Sequence, residues 1–200
     1  MNAPETPQIE RPALTLPPAE AAWLQERYAA AGVILEYGSG GSTVIAAELG
    51  KTVFSVESDR DWAAMMAGYF DAHPPEGAVH LHPVNIGPTG KWGSPRNENG
   101  WRNYHKYPVT VWDRKDFRQP DLVLIDGRFR AACLVATMIR TARPVTVLFD
   151  DYVGRKPYHA VERWIAPAET RGRMARFEVE PWQIPPQDLA QVLILFNRQQ

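Results

Sequence analysis

The run Val33-Ile34-Leu35-Glu36-Tyr37-Gly38-Ser39-Gly40-Gly41-Ser42-Thr43 constrains this chain more than any other segment. A short apolar stretch of this kind reads as a strand buried on both faces, which is typical of a parallel sheet. It carries an acid two places before a glycine-rich turn, and a helix opens behind the turn. Glycines let the backbone pass close to a ligand, and the first N–H groups of the helix point out over the strand tip. A second strand, Thr52-Val53-Phe54-Ser55-Val56-Glu57, then ends in another carboxylate. The two segments together build a nucleotide-sized pocket at the carboxyl edge of a parallel sheet.

Composition sets the outer bounds. The 200 residues suffice for one full-sized domain and fall short of two. Hydrophobic residues at 44% and charged residues at 22% are ordinary for a globular protein. A formal net charge of −1 gives no global attraction to nucleic acid or anionic lipid, so neither is expected as a partner. Cys133 is the single cysteine, and its neighbours Ala131, Ala132, Leu134 and Val135 mark a buried helical thiol. Both points fit a reducing compartment, and a cytoplasmic location is expected. No apolar run reaches the roughly 20 residues of a membrane span. Residues 1–16 are proline-rich without the apolar core of a signal peptide and read as a loosely ordered arm; 17–200 read as a single domain.

Along the chain, Pro17-Pro18 opens a helix that Gly32 stops, with Trp23, Leu24 and Tyr28 on one face. Further helices are expected over Ser42–Leu49, from an Asp59 N-cap through Phe70, over Phe129–Thr141 and over Tyr158–Ile165. Strands are expected at Val79–Asn85, Leu122–Asp126 and Val145–Phe149. The tail holds two strand-like runs, Arg176–Glu180 and Gln191–Asn197, whose short connection makes them antiparallel. Strands alternating with helices predict an α/β, doubly wound, mostly parallel sheet covered on both faces. Residues 86–108 show no helical or strand period and read as a long loop.

Glu36 sharpens the reading of the pocket. In a dinucleotide-binding turn that position is normally apolar, and G-x-G-x-x-G would need glycine where Thr43 stands. A carboxylate suits a ligand bearing an ammonium group, which S-adenosylmethionine has and a pyrophosphate lacks. Glu57 sits where an acid can accept both ribose hydroxyls. The plainer alternative makes Glu36 a hydrogen-bonded core acid and Glu57 a partner for the next helix N-terminus.

On Glu36-Tyr37-Gly38-Ser39-Gly40-Gly41-Ser42, Val56-Glu57-Ser58 and the strand ends at Asp126 and Asp150, the chain resembles the class I S-adenosylmethionine-dependent methyltransferases. The resemblance extends from Val33 to Asn197. It implies a Rossmann-like, seven-stranded sheet whose last strand is antiparallel, with the cofactor over the strand tips. By position, Gly38, Ser39 and Gly40 would flank the methionine part and Ser42 the opening of the helix. Glu57 would bind ribose with Ser58 and Trp62 nearby, Asn85 would contact adenine, and Asp126 and Gly127 would lie beside the cofactor.

Asp126, Asp150 and Asp151 stand at two neighbouring strand tips. Their spacing is similar to that of the metal-dependent catechol and caffeoyl-coenzyme A O-methyltransferases, where an aspartate and an Asp-Asn pair hold magnesium. Here Asp151 replaces the asparagine. The resemblance implies a Mg²⁺ ion that would lower the pKa of a substrate hydroxyl. The alternative is that Arg128, Arg130 and Arg155 neutralise the acids. Without a metal, Asp126, Asp150 or His159 is the candidate general base. His80 and His82 share one face of a strand with no third ligand, so zinc is not expected.

The long loop interleaves Trp92, Trp101, Tyr104 and Tyr107 with Lys91, Arg96, Arg102 and Lys106. Such a loop can close over an anionic or aromatic small molecule, stack on single-stranded bases, or pack on its own aromatics. Arg171, Arg173 and Arg176 read as a solvated face. The expected activity is methyl transfer from S-adenosylmethionine to a small-molecule oxygen nucleophile. Two alternatives stay open: an NAD-dependent oxidoreductase, opposed by Glu36 and the missing third glycine, and a non-catalytic cofactor-binding or interaction module. A homodimer, with the arm reaching across it, also stays open.

Overall fold

The computed structural model describes residues 9–199. Five parallel strands form its centre: β1 (Val33–Tyr37), β2 (Thr52–Glu57), β3 (Val79–Pro83), β4 (Leu122–Ile125) and β5 (Val145–Phe149). Two more, β6 (Glu169–Arg171) and β7 (Met174–Val179), complete one sheet in the order β3-β2-β1-β4-β5-β7-β6. β7 runs antiparallel to both β5 and β6. The doubly wound sheet with an antiparallel last strand is therefore the one expected.

Alternation along each strand sorts side chains to two faces. Leu35, Tyr37, Phe54, Val56, Val123 and Ile125 pack on one side, against α6 (Arg130–Arg140) and α7 (Leu189–Asn197). Ile34, Val53, Leu122, Leu124 and Leu148 pack on the other, against Trp23, Leu24 and Tyr28 of α1 (Pro18–Ala30). Helices α2 (Gly41–Glu48) and α3 (Arg60–Ala72) meet through Val44, Met66 and Tyr69. All five residues of β1 are buried, which is why a segment with one charge and four apolar side chains becomes the central strand. β1 lies between β2 and β4, so the strand order reverses there and a crevice opens over their carboxyl ends.

Three expectations are corrected. The run 191–197 is helix α7, not a strand: Val192 and Leu195 face the core while Leu189, Leu193 and Ile194 stay exposed. A continuous apolar run does not distinguish the two by periodicity. The antiparallel partner of β7 is instead β6, joined to it through Gly172 at φ 56°. Segment 156–163 is a 3₁₀ helix, with Tyr158 and Val161 buried.

Residues 86–108 are partly helical, with α4 (Trp101–Tyr104) and the start of α5 (Lys106–Val109). Tyr104 and Tyr107 are core residues whose rings pack tilted against Phe129, with centroids 4.9 and 5.7 Å away. Within the same segment Trp92 and Trp101 stay exposed.

The arm expected to be loose falls partly outside the described residues, at 1–8. Residues 9–16 have no regular secondary structure but are seated: Leu16 is buried and Arg11 donates two hydrogen bonds to Glu48. No helix among the described residues is long and apolar enough to cross a membrane.

Candidate active site

A cavity of about 460 Å³ opens over the tips of β1, β2, β4 and β5. The glycine turn and Ser42 form its floor, Glu57, Ser58, Asp59 and Trp62 one wall, and Asp126, Gly127, Asp150 and Asp151 the opposite one. Ala13, Leu14 and Thr15 of the arm, together with Trp92, Gly93 and Tyr107, complete the rim. Trp92 and Tyr107 belong to the aromatic loop expected near a ligand; Ala13, Leu14 and Thr15 carry no motif and arrive through tertiary packing.

The turn is held from below by hydroxyls. Glu36 is wholly buried and does not line the cavity. Its carboxylate accepts from Tyr28 Oη (2.5 Å), from Thr43 Oγ1 (2.5 Å) and from Ser55 Oγ (3.3 Å). Thr43 Oγ1 in turn accepts the Gly40 N–H at 3.0 Å, and Ser39 Oγ bonds Ser55 Oγ at 2.7 Å. Burial pushes the Glu36 carboxyl up to about 6, against the lowering pull of the Thr43 and Tyr28 hydroxyls. Glu36 thus stands beneath the cavity floor rather than on it, and braces the turn through Thr43. Glu36→Gln should cost about 1–3 kcal/mol in chemical denaturation, because the amide nitrogen cannot accept from the hydroxyls left around it.

Glycine is required where backbones touch. Gly38 has φ 107° and sits against Gly127, where a Cβ would come within 2.1 Å of Tyr107 Oη. At Gly41 a Cβ would lie 2.3 Å from Leu14 N, so the arm passes directly over the helix start. At Gly40 a Cβ meets nothing within 4 Å.

Glu57 ends β2 with three N–H groups on its carboxylate: Ser58 at 2.6 Å, Asp59 at 2.7 Å and Ser39 at 3.2 Å. Burial nevertheless raises its pKa. Two carboxylate oxygens offer four acceptor positions, so Oε2, with one bond, keeps room for a ligand hydroxyl. Asp59 caps α3 by accepting from Asp61 and Trp62 N–H, and Trp62 Nε1 donates to Ser39 O at 2.8 Å. The indole is thereby fixed beside the turn. Trp92, 70% exposed, holds a left-handed backbone at φ 61°. Its neighbour Gly93 is pinned by Ser58 Oγ, which donates to the Gly93 carbonyl at 2.9 Å.

The three aspartates do come together, and arginines hold them. Arg173 donates to both oxygens of Asp150 at 2.9 and 2.8 Å, and Arg155 reaches Asp151 at 2.6 Å. Arg130, itself buried, lies 3.0 Å from Asp126 and 3.6 Å from Asp151 while donating to the carbonyls of Asp126, Gly127 and Asp150. Burial pushes Asp126 up to about 7, with Arg130 opposing and Asp150 assisting the rise. This donor set does not fit the Mg²⁺ site implied by the spacing: guanidinium groups occupy the carboxylate faces a cation would need. Among the described residues no group of three His, Cys, Asp or Glu side chains is arranged for a metal. Of the neutralising arginines expected, Arg130 and Arg155 serve; Arg173, read as solvated, takes the place of Arg128.

Two other expected residues stand apart from the cavity lining. His159 Nε2 lies 3.0 Å from the Tyr152 carbonyl and its ring stacks on Tyr152, outside the cavity lining. Asn85 accepts the Gly87 N–H and shapes a turn. His80 and His82 instead pair with Asp116 and Thr110.

No protein-family model matches the chain, and no curated protein does. Solved structures do. A methyltransferase-like protein from Silicibacter pomeroyi is 52% identical over 94% of this chain and 98% of its own, with a TM-score of 0.88. The O-methyltransferase TomG of Streptomyces achromogenes, solved with SAM, shares 14% identity and a TM-score of 0.58, covering 85% of this chain and 82% of its own. An O-methyltransferase from Bacillus cereus, solved with SAH, shares 14% identity and a TM-score of 0.55, covering 84% of each chain. The latter two share the fold; the first, at 52% identity, carries the kinship. The chain belongs to the class I S-adenosylmethionine-dependent methyltransferase family.

Proposed function

We propose that the protein binds S-adenosylmethionine in this cavity and transfers its methyl group to an oxygen nucleophile on a small molecule. The observation that carries the reading is Glu57. It is a strand-end carboxylate with one acceptor position open, set across a glycine turn from Asp126 at the point where strand order reverses. The ribose hydroxyls bond Glu57, the adenine lies against Trp62 and Trp92, and the methionine part rests over Gly38–Gly40. TomG and the Bacillus cereus enzyme were solved with SAM and SAH, which supports the same cofactor here.

Transfer needs the acceptor oxygen, the methyl carbon and the sulfur in line, and most of the acceleration comes from holding them so. Asp126, raised to about 7, is matched to take the hydroxyl proton as the oxygen attacks; S-adenosylhomocysteine leaves as a neutral thioether. Activity therefore requires ionised Asp126 and rises with pH through about 7. In Asp126→Asn that rising limb should vanish from the pH–rate profile. An unchanged profile would remove Asp126 from the chemistry.

Trp92 gives a second test. A bulky residue at positive φ costs about 1–3 kcal/mol, and that cost is retained here at a cavity rim. Base stacking of about 1–3 kcal/mol predicts that Trp92→Gly weakens S-adenosylhomocysteine binding roughly tenfold while raising the melting temperature. Calorimetry should give one-to-one binding of S-adenosylhomocysteine to the wild type and none of NAD. The reverse pattern would replace a methyltransferase with an oxidoreductase.

A further inference from the structure

Glu20, in the first turn of α1, is 4% exposed and does not line the cavity. An acid at this place in a helix commonly reaches back to the N–H of the capping residue, but here that residue is Pro17, which has none. The carboxylate goes elsewhere: its Oε1 accepts the N–H of Arg173 at 2.8 Å, in the turn between β6 and β7. Gly172 lies against the same group, where a Cβ would come within 2.1 Å of Oε1. A buried acid normally has a cationic partner. The arginines of this turn pair with other acids, Arg171 with Glu26 and Glu169, and Arg173 with Asp150. Neither a cap nor an ion pair explains the burial of Glu20; what its carboxylate holds is the main chain of the turn.

That main chain delivers Arg173 to the cavity wall. Glu20 takes its N–H, and its carbonyl accepts from Val153 N–H at 3.1 Å. The guanidinium then spans both oxygens of Asp150 and lies 3.2 Å from Asp151. A bidentate guanidinium–carboxylate pair fixes orientation as well as charge. Asp150 is 1% exposed in its side chain, and its charge assists the rise of Asp126. The groups facing the two acids are Arg130 from α6, Asp151 with its partner Arg155 after β5, Tyr28 from α1, and Arg173 from the turn.

We infer that Glu20 is a positioning residue for the acid cluster: it pins the β6–β7 turn so that Arg173 reaches Asp150, and through that pair it sets the charge balance beside Asp126. The inference rests on the methyl-transfer reading for what the acid cluster does, while the placement of Arg173 stands without it. Glu20→Gln keeps an oxygen that can accept the Arg173 N–H and removes the charge. Glu20→Leu has similar volume and no acceptor, which leaves that N–H unpaired. A guanidinium that leaves its seat takes a positive charge away from the acids. Their protonated forms are then favoured, and the titration of Asp126 moves to higher pH.

The experiment is NMR on the ligand-free protein, with melting curves as the folding control. The Arg173 Nε–H signal, identified by its loss in Arg173→Lys, reports the pair with Asp150 through its hydrogen-exchange rate. The carboxyl-carbon signal of Asp126, identified with Asp126→Asn, reports the charge balance through its titration. In Glu20→Leu the Arg173 Nε–H should exchange about tenfold faster than in wild type, and Asp126 should titrate about half a pH unit or more higher. Glu20→Gln should restore both to wild-type behaviour, with exchange within about twofold. Should Glu20→Leu not fold, Glu20→Ala, which lets water reach the turn, is measured in its place with the same expectation. A folded Glu20→Leu or Glu20→Ala with wild-type exchange and titration overturns the inference. So does a Glu20→Gln that behaves like Glu20→Leu, because the turn would then not be held through the hydrogen bond Glu20 accepts. Both signals are read without ligand, so a protein that binds no S-adenosylhomocysteine would sink the methyl-donor reading and leave this test intact.

Discussion

Gly40→Val is expected to abolish S-adenosylhomocysteine binding, by about a hundredfold or more, with the melting temperature within about 2 °C of wild type. Gly40 has φ 171°, an extended conformation open to any residue, and a Cβ there touches no protein atom within 4 Å. A valine would fill space beside the cavity floor where the methionine part rests, and the Gly40 N–H bond to Thr43 Oγ1 would stay in place. The contrast is Gly127→Val, whose Cβ would collide with Tyr107 Oη, Gly38 N and Tyr37 O. That variant should lose binding and stability together. If Gly40→Val binds normally, the ligand does not pass over the turn.

Arg130→Met should produce the largest loss of stability, about 3–5 kcal/mol, read as a fall in the urea midpoint at unchanged slope. Arg130 is 4% exposed in its side chain and faces three carboxylates. It also ties the carbonyls after β4 to the one after β5. Methionine fills similar volume but leaves those carbonyls without their donor and the aspartates repelling one another. Removing one partner from a buried charge cluster strands the others, whereas pairs near the surface are worth little. Arg155→Met, whose side chain is 51% exposed, should therefore cost well under about 1 kcal/mol. Equal losses from the two variants would refute this account of the cluster.

Most of the parallel part of the sheet was legible because β1, β2, β4 and β5 are largely buried on both faces and α3 carries a side-chain cap. VILEY and TVFSVE read as strands in any context, and Asp59 caps α3 as its position suggests. The glycine turn was legible for the same reason: Gly38 has a backbone that other residues rarely adopt. What was misread depends on partners distant in sequence. LAQVLILFN is apolar enough for either a strand or a helix, and α7 forms because Val192 and Leu195 find the α4–α6 face. Arg173 looks like one of three surface bases, yet the β6–β7 turn delivers it to Asp150 at the end of another strand. The metal-like triad of acids was legible as a cluster, but its arginine partners come from α6, the β6–β7 turn and the segment after β5. Trp92 joins the site because Gly93 docks on Ser58, a contact no local pattern encodes.

The central claim is a ligand held between the glycine turn and Glu57, and a crystal structure with S-adenosylhomocysteine tests it most directly. The account predicts ribose hydroxyls within hydrogen-bonding distance of Glu57 Oε2, adenine against Trp62 and Trp92, and the amino-acid end over Gly38–Gly40. Density for the ligand elsewhere on the molecule, with this crevice empty at saturating concentration, would contradict it.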